Sequence, residues 1–302
     1  MKIKFDVLVC WSEQGRKAPK ELVKMLQSDS RLKDNLPDLS CPDYETDVLI
    51  IGGGGAGASA AIEADNAGEK VMIVTKLRIG DANTMMAEGG IQAADKPNDS
   101  PAQHFLDCFG GGHFAADKEL VYKLVTEAPD GIQWLQDLGV EFDKDAEGNM
   151  ITTHGGGTSR KRMHAAKDYS GAEIMRTLRD EVLNRKIPVV DFTSAIELIM
   201  DDKGHCAGAV LMNMETGEIL IAKAKVVIIA TGGAGRMHYQ GIPDVPTIRS
   251  TQMVWFWLIV LVLRCVSSTP CSITRPVLHS RNRSSAHWLP KRFVLWAQSW
   301  LT

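Results

Sequence analysis

The chain has 302 residues and a formal net charge of −3 at pH 7, which allows one large domain or two ordinary ones. This balance leaves no broad basic field and argues against nucleic acid as a partner. The six cysteines form no C-x-x-C pair and no metal-ligand cluster, and the charged start Met-Lys-Ile-Lys lacks the apolar run of a secretory signal. We therefore expect a cytoplasmic protein with reduced thiols and no metal site.

Composition divides the chain into three parts. Residues 1–43 are predicted to hold a strand, a helix around Pro19 to Gln27 and a linker, and we expect a small docking extension without chemistry. Residues 44–245 carry the patterned strands and helices of an α/β domain. Residues 246–302 are of another kind, because five of the seven tryptophans lie there and no Asp, Glu or Gly follows Thr247.

The most informative motif follows the apolar run Val48 to Ile51, which is typical of a strand buried on both faces of a parallel sheet. Gly52, Gly54 and Gly57 come next at G-x-G-x-x-G spacing, and small residues then open a helix. The first glycine permits a tight turn, the second lets the backbone approach a pyrophosphate, and the third lets helix and strand pack closely. The N-terminus of this helix would hold the phosphates through its N–H groups and its dipole.

A lone G-x-G-x-x-G also occurs as a plain glycine-rich turn, so the neighbouring elements must indicate whether it binds a dinucleotide. Here a second strand, Lys70 to Lys76, completes a β-α-β unit and favours dinucleotide binding. Another apolar strand that ends in a glycine turn, Ala224 to Gly235, is expected to return beside the first and to present Ala-Thr-Gly to the same ligand. The alternative is an ordinary strand-to-helix turn.

The segments between these motifs predict the rest of the domain. Amphipathic helices are predicted over Lys118 to Leu138 and Ala172 to Asn184. A β-meander is predicted from Val189 to Ile229, with turns at Asp201 to Gly204 and Glu215 to Gly217. The predicted fold class is therefore α/β, a Rossmann-like domain with a parallel sheet and a β-meander.

Over about residues 44–245, these motifs resemble the flavoprotein subunits of succinate dehydrogenase and fumarate reductase, together with L-aspartate oxidase. The resemblance implies a two-dinucleotide-binding domain for FAD, which is incomplete here and lacks the family's capping domain. Thr75-Lys76 ends the second strand as Ser/Thr-Lys does in this family. The segment Asp81 to Gln92 is similar to the flavin-contacting segment, in which the backbone of Ala87 to Gly90 would line the isoalloxazine.

The same resemblance implies the mode of attachment and the contacts of the cofactor. Membrane-bound members carry a His that bonds covalently to FAD, whereas Asn83 stands at that place here and an amide cannot form the bond. FAD is therefore expected to bind non-covalently. No residue of this chain is assigned a catalytic role. The expected cofactor contacts are Gly52, Gly53, Gly54, Gly55, Ala56, Gly57, Thr75, Lys76, Asn83, Thr84, Met86, Ala87, Glu88, Gly89, Gly90, Ala195, Ala230, Thr231 and Gly232.

A third segment, Thr153 to Ala165 followed by Asp168 to Gly171, is similar to the family's Gly-Gly segment with Arg-x-x-His-Ala and Asp-x-Thr-Gly. Aspartate oxidases carry a Glu before those glycines, and this Glu is thought to pair with the ammonium group of the substrate. His154 occupies that position in this chain, and a His is a poorer partner for an ammonium. The resemblance therefore argues against aspartate as the substrate. For His154 and His164, a role near the substrate and a role at the surface or behind the site stay open.

The family's chemistry is hydride transfer between flavin N5 and the C2–C3 bond of a four-carbon dicarboxylate, with an Arg as proton shuttle and His and Arg side chains as the carboxylate clamp. Those groups lie in motifs resembling A-D-G, Q-Y-H-P-T-G and T-E-K-x-R, which do not occur in this chain. His238 to Gly241 is the last segment in pattern.

The tail itself explains their absence. The codons possible for these residues can also be read in a shifted frame, in which the last base of each codon joins the first two bases of the next. In that frame the codons possible for Thr251 to Leu258 can encode A-D-G-L-V-L, and those possible for Val266 to Val277 can encode I-D-T-V-Q-Y-H-P-T-G. We therefore predict an out-of-frame reading of a flavoprotein gene that breaks near Pro246 to Ser250, and a tail that does not pack as a native domain. A genuine Trp- and Arg-rich tail is the alternative. The apolar run Val254 to Leu263 has about half of the ~20 residues that a membrane helix needs, so no transmembrane segment is expected.

The expected function is that of an FAD-dependent oxidoreductase, by resemblance the flavoprotein of a fumarate reductase or succinate dehydrogenase, with the chain as written inactive. The alternatives are an L-aspartate oxidase-like enzyme, a non-catalytic flavin-binding fragment, and a flavin-binding regulatory or electron-transfer protein. The expected partners are a dicarboxylate substrate in the intact enzyme and a separate iron–sulfur or electron-transfer subunit. The chain has no cluster-binding cysteine set of its own.

Overall fold

A computed structural model describes residues 5–7, 17–19, 37–201 and 205–232. The predicted helix around Pro19 to Gln27 is described only at Pro19, which ends a strand, and all residues after Gly232 lie outside the described ranges. In chain order, the described elements are β1 (Phe5–Val7), β2 (Lys17–Pro19), β3 (Tyr44–Ile51), α1 (Gly55–Asn66), β4 (Val71–Val74), a 3-10 turn (Asn83–Met86), β5 (Ile91–Gln92), α2 (Pro101–Gly111), α3 (Lys118–Asp137), β6 (Thr152–His154), β7 (Lys161–His164), α4 (Ser170–Asn184), β8 (Val189–Val190), β9 (Thr193–Met200), β10 (Cys206–Asn213) and β11 (Ile219–Ile229).

A six-stranded sheet in the order β8-β4-β3-β11-β10-β9 forms the centre of the domain. Strands β8, β4, β3 and β11 are parallel, and β10 and β9 complete the sheet in antiparallel pairing. The prediction that the second glycine-ended strand returns beside the first is confirmed, because Val226 pairs with Val48 and Ile229 with Ile51. The α/β class with a parallel sheet and a meander is therefore confirmed.

The predicted start of the meander is wrong. Val189 and Val190 pair in parallel with β4 at the far edge of the sheet, so the meander consists of β9, β10 and β11 only. The cause is the crossover through α4, which delivers the chain to the open edge of β4, as is usual for a β-α-β connection. The chain then turns at Phe192, whose φ is +50°, and enters β9.

Both faces of β3 are buried, as the apolar run predicted. Val48 and Ile50 face one apolar cluster with α1 and α4, whereas Leu49 and Ile51 face a second cluster formed with the meander. Burying a side chain of this size contributes roughly 1.5–3 kcal/mol. Helix α1 has no bulky residue on its buried face except Ile62, and this lets the helix axis approach the sheet.

The predicted helices over Lys118 to Leu138 and Ala172 to Asn184 are confirmed as α3 and α4. Their apolar positions point into the core, where Ile132 and Leu178 are almost completely buried. Asp117 caps α3 by accepting hydrogen bonds from the N–H groups of Glu119 and Leu120. Among the described residues, none of the helices is both long and apolar enough to cross a membrane.

A second, three-stranded antiparallel sheet in the order β5-β7-β6 was not predicted from the sequence. Its strands have two to four residues, which is too short for a period to show. Ile91 of β5 and Thr152 of β6 both pair with His164 of β7. This small sheet matters because β5 continues directly from Gly89 and Gly90.

Candidate cofactor site

The predicted contacts Gly52 to Gly57, Thr75 with Lys76, and Ala230 to Gly232 lie at the carboxyl ends of three neighbouring parallel strands, β3, β4 and β11. The main chains of these ends are tied together, since Gly52 N–H donates to Val74 O at 2.8 Å and Ala230 N–H donates to Ile51 O at 2.9 Å. The turns that follow the strands therefore converge on one edge of the sheet. In open α/β sheets, this edge is where ligands bind.

The first and third glycines of the motif are required by close contacts between main chains. Gly52 has φ +121°, and a Cβ there would lie 2.3 Å from the carbonyl oxygen of Ala230. A Cβ on Gly57 would lie 1.8 Å from the carbonyl oxygen of Gly52. Any side chain at either position would push the helix or the neighbouring strand away, which is the role that the spacing predicted.

The middle glycine leaves open the entrance to helix α1. A Cβ on Gly54 would meet Ala82 Cβ at 3.1 Å, and its next neighbour is Thr84 Oγ1 at 3.8 Å. Gly54 is the N-cap residue of α1 and offers no side-chain cap, and no acidic residue occupies the first turn. Gly55 N–H donates to Thr84 Oγ1 at 3.1 Å. The helix N-terminus thus presents N–H groups and the positive end of its dipole beside Thr84, which suits a phosphate.

Thr75 and Lys76 follow β4 at the same edge. Thr75 is buried and lies against Gly53, and its main chain bridges two strand ends, with its N–H donating to Val190 O and its carbonyl accepting from Thr193 N–H. Lys76 is half-buried, and burial lowers the pKa of its ammonium. Ala195 is buried in β9, in the apolar cluster on the meander side that also contains Ile51 and Val74 at the ends of β3 and β4.

The segment Asn83 to Gly90 crosses in front of the helix entrance. Asn83, Met86, Glu88 and Gly89 are exposed, so this segment presents an open face next to the glycine turn. Asn83 and Met86 bound a 3-10 turn, and Ala87 then takes an extended conformation. The expected flavin-contacting residues thus form an exposed surface beside the expected phosphate site.

Helix α4 holds this segment from behind, through two residues that sequence reasoning did not include in the site. Gly171 N–H donates to Ala87 O at 2.6 Å, and a Cβ on Gly171 would lie 2.0 Å from the carbonyl oxygen of Thr84. Ser170 Oγ donates to Glu88 O at 3.2 Å. The available signal was the resemblance of Asp168 to Gly171 to the family's Asp-x-Thr-Gly, which does not indicate which distant carbonyls Ser170 and Gly171 meet.

The two histidines left open by the sequence have different surroundings. His154 is exposed at the end of β6. His164 is completely buried, with Nε2 at 3.0 Å from Asp95 Oδ2. His164 therefore lies behind the surface of the site, whereas His154 is accessible. No group of His, Cys, Asp and Glu side chains within the described ranges is arranged to hold a metal ion.

The last predicted contacts, Ala230 to Gly232, follow β11. Gly232 has φ +78°, as a turn after a strand requires, and within the described ranges no atom beyond its chain neighbours lies within 4 Å of the position of its missing Cβ. Together with the glycine turn and the Asn83 to Gly90 segment, these residues form a candidate dinucleotide-binding site on a fold of the Rossmann class. The residues present fit FAD, because Gly52 and Gly57 let the turn pack tightly and no side-chain cap covers the N–H groups at the start of α1.

Comparison with known proteins identifies the family. The family described as FAD binding domain matches residues 47–255. An L-aspartate oxidase of Streptomyces coelicolor is 37% identical over 195 residues, which are 63% of this chain and 34% of that protein. The succinate dehydrogenase flavoprotein subunit of Rickettsia felis is 32% identical over 206 residues, 65% of this chain and 34% of that subunit. The chain belongs to the FAD-binding flavoproteins of the succinate dehydrogenase, fumarate reductase and L-aspartate oxidase family.

Solved structures agree with this assignment. A quinol fumarate reductase flavoprotein from E. coli superposes with a TM-score of 0.62 at 32% identity, covering 64% of this chain and 33% of that one. The chain thus spans about a third of the length of the relatives it matches.

Proposed function

We propose that this chain carries the FAD-binding part of an oxidoreductase that acts on a four-carbon dicarboxylate. One observation carries the proposal: the Gly52 to Gly57 turn, Thr75 with Lys76 and the Asn83 to Gly90 segment converge at one edge of the sheet, with three strand ends hydrogen-bonded behind them. Bound FAD would supply a hydride donor or acceptor at flavin N5. The residues of this chain would hold and orient it.

Each part of the cradle has its own task in that proposal. The N–H groups at the start of α1 would bind the pyrophosphate, with Thr84 beside them. Lys76 would reach the adenosine half from the end of β4. The main chain of Ala87 to Gly90, held by Ser170 and Gly171, would support the isoalloxazine and keep water from one side of it.

The relatives support a dicarboxylate as the substrate class. They include proteins named fumarate reductase, succinate dehydrogenase and L-aspartate oxidase. His154 is exposed at the position where aspartate oxidases carry a Glu, and an imidazole is a poorer partner for an ammonium than a carboxylate is. We therefore favour a substrate without an amino group over aspartate. An iron–sulfur or other electron-transfer subunit would be a separate chain.

We further propose that the 302-residue chain binds FAD without turning over the substrate. The family match ends at residue 255, although the chain continues to residue 302, and the residues after 247 carry none of the motifs that resemble the proton shuttle and the carboxylate clamp. A positioned acid or base contributes typically ~10²–10⁴-fold to the rate, and substrate orientation contributes more.

Two linked experiments test this function. Acid precipitation of the FAD-loaded chain should leave the yellow colour in the supernatant, because Asn83 forms no covalent bond; colour in the pellet would refute non-covalent attachment. Restoring the frame by one base near codon 250, in the full-length gene, should yield reduction of fumarate or oxidation of succinate, whereas the 302-residue chain should show none. A frame-restored protein that binds FAD but is inert towards fumarate, succinate and aspartate would refute the substrate class.

A further inference from the structure

Strand β7 forms the back of the flavin-contacting segment. Gly90 has φ +109°, and a Cβ there would lie 2.3 Å from the carbonyl oxygen of His164 and 2.9 Å from Cγ of Met163. Ile91, the next residue, pairs with His164 in the small sheet. The main chain that would face the flavin therefore rests directly on the main chain of His164, without a side chain between them.

The side chain of His164 is fixed by a carboxylate from the same segment. His164 is 0% exposed, its Nε2 lies 3.0 Å from Asp95 Oδ2, and the ring of Phe142 meets it edge-on at 6.0 Å between centroids. Asp95 follows Ile91 by four residues, and Ala93 N–H donates to Arg162 O between them. The stretch 91–95 is therefore tied to β7 by main-chain pairing at one end and by the Asp95–His164 pair at the other.

The Asp95–His164 pair is not an arrangement that maximises folding stability. Among the described residues, Nδ1 of His164 and Oδ1 of Asp95 are buried without a hydrogen-bond partner. Burial opposes ionisation of Asp95, but the hydrogen bond with His164 and the charge of Lys96 lower the pKa of its carboxyl, so the half-buried group is an anion at neutral pH. Apolar side chains of similar volume often replace such buried pairs without loss of stability, whereas the pair enforces one register.

We propose that Asp95 and His164 are positioning residues that hold the Gly89–Gly90 main chain in the position that flavin binding requires. The proposal rests on the proposed FAD binding and extends it to residues that do not touch the cofactor. His164 acts through the main chain of Gly90, and Asp95 acts by fixing the ring of His164. Free rotation of that ring would let β5 slip relative to β7, because β5 has only two residues in the ladder.

The test compares three variants of the full 302-residue chain by FAD titration, flavin visible absorption and thermal unfolding of the apoprotein. His164→Leu removes the hydrogen bond and should weaken FAD binding about tenfold or more, the effect of losing a hydrogen bond to a charged group. His164→Gln can donate from Nε2 to Asp95 and should restore affinity to within about threefold of the parent. His104→Gln is the matched control, because His104 is also buried with an unpaired Nδ1 and lies on α2, close enough to Arg162 of β7 to feel its charge but outside the β5–β7 pairing.

The outcomes separate positioning from general stability. The proposal expects His164→Leu to weaken binding and to shift the flavin absorption bands, His164→Gln to recover both, and His104→Gln to lower the melting temperature without changing either. Equal affinity in His164→Leu and the parent would overturn it, as would equal losses in all three variants. If His164→Leu does not fold, Asp95→Asn decides, since unchanged affinity and absorption in that variant would overturn the proposal. A parent that binds no FAD would instead refute the proposed function.

Discussion

The two ends of the proposed FAD site are built by opposite means. At the phosphate end the site consists of missing side chains, because Gly52 and Gly57 let main chains meet at distances that no Cβ permits. At the flavin end the main chain is held by buried polar side chains, with Ser170 behind Glu88 and with His164 and Arg162 on β7. Substitutions should therefore act at the first end by filling space and at the second by removing a partner.

The largest expected effect is at the phosphate end. Gly54→Val should abolish FAD binding, because a branched side chain would stand at the entrance of α1, where the pyrophosphate would lie. Gly57→Val should additionally unfold the α1–β3 contact, since its Cβ alone would lie 1.8 Å from Gly52 O. FAD fluorescence titration and circular dichroism measure the two losses. Gly110→Ala, in open space within α2, is the control and should leave FAD binding unchanged.

The second-largest expected effect is a loss of folding stability at the flavin end of the site. Arg162 is 0% exposed and pairs with Asp99 and Asp107, with Nε–Oδ2 and Nη1–Oδ2 distances of 2.6 Å each. Arg162→Met would leave two carboxylates without their counter-ion and should lower the free energy of unfolding by about 3–5 kcal/mol. Urea unfolding of the apoprotein measures this.

The control for that variant is an exposed arginine. Arg176 pairs with Glu173 on the surface of α4 and is about half exposed. Arg176→Met should cost no more than ~1 kcal/mol, because solvent screens such pairs. Equal losses in the two variants would contradict the view that burial makes the Arg162 cluster structural.

A smaller effect should appear in the dependence of stability on pH. Burial, and then the charge of Arg162, lower the pKa of His104 from 6.5 to about 4. Since the folded pKa lies below the unfolded value, the stabilising contribution is complete above pH 6.5 and is lost as the pH falls towards 4. Melting temperature should therefore decline over this window, and His104→Gln should remove that part of the decline.

Asp107 should act in a separate, more acidic window. Burial alone would raise the pKa of the Asp107 carboxyl. Hydrogen bonds from the main chain and hydroxyl of Ser159 and from Arg162 nevertheless lower this pKa to about 2. Its contribution is present above the unfolded value of 3.8 and is lost as the pH falls from there towards 2. Asp107→Asn should flatten the melting curve in this window and, because the charge of Asp107 raises the pKa of His104, should move the lower end of the His104 window to more acidic pH. A variant that flattens both would show that the two groups titrate together.

The contrast between the two ends also explains what the sequence could predict. The glycine turn, the strands β3, β4 and β11 and the helices α3 and α4 each carry a local pattern, so their existence and the return of β11 beside β3 were predictable. The meander began too early in the prediction because Val189 and Val190 are apolar and β-branched, which does not distinguish a parallel edge strand from an antiparallel one.

The flavin end depends on pairings between distant residues, which a single sequence does not display. Asp95 lies 69 residues from His164, and Asp99 lies 63 residues from Arg162. Charged residues at such positions are usually solvated, so nothing in the pattern indicates that Arg162 is completely buried. Strands as short as β5 and β6 carry no period. The predicted tail boundary near residues 246–250 and the apolar run Val254 to Leu263 lie outside the described residues, and the proposal of an altered reading frame stays a prediction.

The most direct test of the central claim is a titration of the chain with FAD, competed by ADP and repeated with Gly54→Val. If the converging strand ends form the site, one FAD should bind per chain, ADP should displace it because the pyrophosphate lies at the start of α1, and Gly54→Val should bind neither. Binding that survives Gly54→Val, or that ADP does not weaken, would contradict this account. So would the absence of FAD binding by a chain with a folded-state circular dichroism spectrum.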